Sequence, residues 1–162
     1  MGLLLAFALI LSYVETLIPL ATGIPGVKLG LANLAVVLCL YLFGAGKAAL
    51  LTMAKSILSG FLFGNLFMIL YSLGGAGTSI LVMTLLKKSC RFHIPAVSAA
   101  GGVAHNLGQL LVAFFVVKTY GVVSYMPILI IAGLVTGLAV GLTASLVLPY
   151  IQRIIHHVEG VL

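Results

Sequence analysis

Along the chain, long apolar runs alternate with short breaks that are polar or rich in glycine and proline. About 20 consecutive apolar residues cross a bilayer as a helix. The breaks mark off six segments, near residues 3–20, 29–43, 48–63, 66–86, 94–117 and 126–151. The second and third are short for a full crossing. Pro95 and Pro127 fall at segment starts, where a missing backbone N–H breaks no helical hydrogen bond. Strands of a membrane barrel would alternate polar and apolar residues over about ten positions, and no stretch reads that way. Every backbone polar group must be satisfied inside the bilayer, so helices remain. The pattern therefore predicts an all-α, polytopic six-helix bundle forming a single integral membrane domain over residues 1–162. The first segment has no basic lead and no A-x-A site behind it, so it reads as a membrane helix rather than a cleaved signal.

Composition agrees. The chain is 63% hydrophobic and 6% charged, against about 25% charged in a soluble domain. So few charges cannot cover a water-facing surface. The formal net charge of +6 invites a nucleic-acid reading, but its distribution argues for membrane topology instead. Lys47, Lys87, Lys88, Arg91 and Arg153 fall on one side of a six-span bundle, and Lys28 and Lys118 on the other. Basic residues collect in cytoplasmic loops. Both termini are therefore expected in the cytoplasm, with the chain crossing the cell membrane several times and binding no nucleic acid. Cys39 and Cys90 stand apart and imply neither a disulfide framework nor a zinc site.

Inside a bilayer, helices associate through close approach at small residues. Gly133, Gly137, Gly141 and Ser145 form such a stripe, four residues apart. Gly60 with Gly64, and Ala104 with Gly108, repeat it. The run Gly74-Gly75-Ala76-Gly77 admits either close packing or a kink.

Acids are nearly absent: Glu15, Glu159 and no Asp. This excludes Mg²⁺-dependent diphosphate chemistry, which needs carboxylates to hold the ion. There is no G-x-x-x-x-G-K-[ST] phosphate loop, and no Ser/His/Asp arrangement is available. His156 and His157 are adjacent and point different ways on a helix, which does not suit a metal. The sequence predicts no enzyme, no cofactor and no metal site, with only an accessory role in a prenyl diphosphate synthase left open.

The remaining polar residues are the informative ones. A Lys at mid-membrane costs roughly 2.5–3.5 kcal/mol on insertion scales, so Lys55 must face the bundle interior. Glu15 is the sole acid within a membrane segment, and the two are expected to pair or nearly so. With the termini inside, Glu15 lies in the outer half of its segment. His105 lies near mid-depth and Gln109 one turn further out on the same face, with Asn106 beside them. Asn33 starts the second segment just after Lys28, and Asn65 closes the third on the outside. Each could be interhelical glue, especially Ser56 and Ser59. A collection at one depth is instead what a pocket open to the outside requires. The loop carrying Gly23, Pro25 and Gly26 brings Lys28 near Asn33, as a lid or as a solvated connector.

Four stretches in this order, SYVETLIP, PGVKLGLANLAVVL, FLFGNL and VAHNLGQLLVA, resemble the Gx transporter family, also labelled heptaprenyl diphosphate synthase component I. That family is similar to the substrate-binding (S) components of energy-coupling-factor transporters. The resemblance implies a six-helix bundle that captures a small molecule from outside. It implies as partners a transmembrane coupling subunit with two ATPases, or another membrane complex. The matching motifs carry Glu15, Lys28, Asn33, Asn65, His105, Asn106 and Gln109 as expected ligand-binding residues, and the depth argument adds Lys55. The ligand expected is small and anionic or amphipathic. The alternative is a membrane subunit of isoprenoid or quinone biosynthesis, with the acids supplied by a catalytic partner.

Overall fold

The computed structural model describes residues 1–18, 30–118 and 120–159. Lys28 and the turn-rich loop around it lie outside the described residues. Six α-helices follow one another: α1 Gly2–Leu17, α2 Leu31–Phe43, α3 Ala45–Phe63, α4 Leu66–Lys88, α5 Ile94–Val117 and α6 Met126–Glu159. A 3₁₀ turn, Tyr120–Tyr125, leads into α6. No strand occurs among the described residues. The helices α3, α4, α5 and α6 are each long and apolar enough to cross a membrane. The chain is a multi-pass helical membrane protein.

Local chemistry sets the boundaries. Gly44 alone separates α2 from α3, at φ 88°, a left-handed value that only glycine adopts without strain. Asn65 caps α4, its side-chain oxygen accepting the Met68 N–H at 2.9 Å. Pro95 lies in the first turn of α5. The helix α6 runs past Ile151, where the apolar pattern stops, and is still helical at Glu159, the last described residue. Hydropathy marks the edge of the lipid, which a helix can run past.

The helices α3, α4, α5, α6 and α2 pack in a closed ring, each against the next, and α1 lies against α2 and α3. From Ala35 to Leu40 every residue of α2 is buried. Six successive helical positions cover every face, so α2 shows no side to lipid there. Its 13 residues span about 20 Å, less than the hydrocarbon core of about 30 Å. A helix wrapped by its neighbours need not match that thickness.

Glycine lets the neighbours close in. A Cβ on Gly133 would stand 2.7 Å from the Gly102 carbonyl oxygen, and one on Gly137 2.7 Å from that of Ser98. A Cβ on Gly141 would stand 2.6 Å from Pro95 Cα. The stripe on α6 is thus the seam with α5. On α4, Gly74 and Gly75 press against Gly108, Val112, His105 and Gln109 of α5, and the helix is continuous through them. Gly74 and Gly75 therefore serve packing, and the run makes no break in the helix. Thr78 ties the same seam, its hydroxyl donating to the Ala104 carbonyl at 2.8 Å.

The two halves of the bundle differ. Val36 to Leu40, Leu51, Met83, Val97, Val140, Ala144 and Leu148 form a dry apolar core at the end that carries Lys47, Lys87, Lys88 and Arg91. Lys87 is bound into it. Its ammonium donates to the Leu40 carbonyl at the C-terminus of α2, at 2.6 Å, and sits 4.9 Å above the centre of the Tyr41 ring. The same carbonyl accepts the Gly44 N–H at 3.2 Å, so Lys87 adds a second bond there and complements the helix dipole.

Candidate functional site

Above that dry core, toward the connections α1–α2, α3–α4 and α5–α6, the bundle opens into a cavity of about 160 Å³. A site needs roughly 10–15 Å³ by this kind of measure to hold one water, so several waters or a small organic molecule fit. All six helices reach it. Its wall takes Ser12, Glu15 and Thr16 from α1, Asn33 from α2, and Lys55, Ser56, Ser59 and Phe63 from α3. Met68 and Ser72 come from α4, His105, Asn106 and Gln109 from α5, and Thr136 from α6. A smaller pocket of about 30 Å³ continues past Asn33, His105 and Thr136 toward the dry core.

The cavity exists because small residues and polar side chains meet here. Gly60 and Gly102 are on its wall, and neither offers a side chain to fill space. Lys55, near the middle of α3, is buried, and its ammonium donates to Asn33 Oδ1 at 2.9 Å. This joins α3 to the first turn of α2. Glu15 Oε1 accepts the Leu31 N–H at 2.5 Å. The N-cap of α2 is Gly30, which has no side chain to accept such a bond. Glu15 therefore caps α2 from α1, and its negative charge sits at the positive end of the α2 dipole. Asn106 Nδ2 donates to the Leu129 carbonyl of α6 at 2.7 Å, which fastens α5 to α6. At the rim, Tyr13 and Phe63 lie with ring centroids 5.2 Å apart and hold α1 against α3.

Of the residues singled out from sequence, Glu15, Asn33, Lys55, His105, Asn106 and Gln109 line this one cavity. Glu15 and Lys55 share it, each with a hydrogen bond into α2. Lys28 lies outside the described residues. Asn65 is not on the cavity wall; it is exposed and caps α4. Sequence reasoning passed over Ser12, Thr16, Ser72 and Thr136. Thr136 shows why. Its hydroxyl bonds its own helix at the Ala132 carbonyl, 2.8 Å away. Thr143 does the same at Ala139, 2.9 Å, yet stands on the outer surface. A hydroxyl that can satisfy itself on the preceding turn carries no mark of what lies over it.

Chemically the cavity offers one carboxylate, one ammonium, an imidazole, two more carboxamides beside that of Asn33, and several hydroxyls. No group of three or more His, Cys, Asp or Glu that could hold a metal ion occurs among the described residues. The arrangement can bind and orient a molecule by charge and hydrogen bonds.

A multi-pass helical bundle with a polar chamber in one half is the class of protein that fold and site define. The chain belongs to the heptaprenyl diphosphate synthase component I family, whose sequence model matches residues 4–147. Neither a curated protein nor a solved structure matches it.

Proposed function

We propose that the chain is a substrate-capturing subunit of a membrane transport system. It takes a small anionic or amphipathic organic molecule into the chamber from the side opposite the cytoplasm. The observation that carries this reading is the chamber itself: costly polar side chains from all six helices converge on one cavity above a dry floor. Glue between helices would need no empty space. In this reading Lys55 and His105 meet the negative charge of the ligand, while Asn33 and Gln109 fix its orientation. The basic end, with Lys47, Lys87, Lys88 and Arg91, faces the cytoplasm, and the chamber opens outward. The sequence has no phosphate loop, so accumulation against a gradient requires a partner with its own energy source.

The test is thiol accessibility. In a Cys90→Ser background, Ser59→Cys on the chamber wall should react from outside intact cells with a membrane-impermeant maleimide. The native Cys90, in the α4–α5 connection, should react only after the membrane is opened. Ser59→Cys labelling that requires an opened membrane would overturn outward capture.

The family description supports a second reading, a membrane subunit of a prenyl diphosphate synthase. With one carboxylate in the chamber and no Asp in the chain, the Mg²⁺-binding acids would come from a catalytic partner. Copurification of such a partner, with synthase activity, distinguishes the two.

A further inference from the structure

One wall residue stands apart from the rest. Gln109 is 3% exposed, lines the chamber, and its side-chain oxygen has no hydrogen-bond partner among the described residues. The side chain is confined between the backbone of Gly75, which a Cβ would bring to 2.7 Å from Gln109 Cγ, and the rest of α5. A buried acceptor left unmet is destabilising, because it has given up water and gained nothing. The other carboxamides are engaged: Asn33 accepts from Lys55, and Asn106 donates to Leu129.

We infer that the bound molecule donates a hydrogen bond to Gln109, so that the chamber selects compact acids bearing an N–H or O–H donor and rejects prenyl chains. This deepens the proposed function and rests on it. The rest of the wall agrees. A prenyl chain has no donor along its length to offer Gln109, and the wall sets hydroxyls, further carboxamides and charges beside its apolar residues. An acid with a donor-bearing head fits this wall, its anion on the side of Lys55, whose ammonium already donates to Asn33, and its N–H or O–H facing Gln109.

The probes are two fractions of one cell extract, the water-soluble metabolites and the lipids. Purified protein is dialysed to equilibrium against each, and enriched species are identified by mass spectrometry. Wild type should enrich acids with an N–H or O–H donor from the water-soluble fraction. Gln109→Met, which keeps the side-chain volume and removes the acceptor, should reduce that enrichment at least tenfold. The melting temperature of the empty Gln109→Met protein should hold or rise, because an unsatisfied group has gone. A merely structural glutamine would lower it. If wild type and Gln109→Met enrich the same acids equally, or if the enriched acids carry no donor, the inference falls while small-molecule capture stands. Enrichment of prenyl diphosphates from the lipid fraction overturns the inference and favours the synthase reading. No enrichment by wild type from either fraction removes capture itself. The identity of the species bound by wild type decides the matter even if the variant does not fold.

Discussion

Two asparagines show how much a single residue discloses. Asn33 and Asn65 both stand near the start of an apolar helix. Asn65 precedes its helix and takes the Met68 N–H, so its amide is spent locally. Asn33 lies inside the first turn of α2, whose cap is Gly30, and its oxygen is left to receive Lys55. Asn65→Ala should therefore cost about 1 kcal/mol of stability, the usual value of a lost N-cap, and leave ligand affinity unchanged. Unfolding in detergent and equilibrium dialysis measure the two separately, and a loss of affinity would return Asn65 to the site. The residues that cost most in a membrane, Lys55 and Glu15, were the most legible from sequence, since nothing lets such groups face lipid. Serines and threonines were not, because Thr136 and Thr143 make the same local bond on one face of α6, two turns apart, and only the first meets the chamber.

At the level of helices, spacing carried more than composition. Four-residue glycine repeats foretold close helix packing, and the structure supplies the partner: Gly133, Gly137 and Gly141 meet the backbone of α5. What spacing could not settle was the Gly74–Gly77 run, which suits a kink as well as a contact until the partner helix is in place. It divides by partner: Gly74 and Gly75 touch α5, while a Cβ on Gly77 would meet nothing within 4 Å. The two kinds of glycine should respond with opposite sign. Gly133→Ala forces a methyl onto the Gly102 carbonyl and should destabilise by about 1–3 kcal/mol, the range for overpacking. Gly77→Ala removes backbone freedom from the unfolded chain without a clash and should stabilise by roughly 0.5–1 kcal/mol. Thermal unfolding of the two variants beside wild type checks both, and a Gly133→Ala protein as stable as wild type would show that the seam tolerates separation.

The whole molecule is polarised, and its two ends explain each other. One end is dry, apolar and ringed by basic residues, with Lys87 holding the C-terminus of α2. The other end contains the chamber and Glu15, the acid that caps the N-terminus of α2. The dipole of α2 therefore runs between an anion on the chamber side and a cation on the basic side, and both charges stabilise this short helix, whose middle is wrapped by its neighbours. If basic residues mark the cytoplasmic face, the same polarity decides which side of the membrane the chamber serves. The helix α6 continues beyond the apolar pattern to Glu159, past Arg153, on the basic side. A green fluorescent protein fused after residue 162 should fluoresce, and alkaline phosphatase at the same position should be silent, because the first folds in the cytoplasm and the second only outside it. The reverse result would leave the chamber and its unmet Gln109 acceptor intact but turn its mouth to the cytoplasm. Capture from outside would then give way to binding a product of cellular metabolism, as a subunit of a biosynthetic enzyme would.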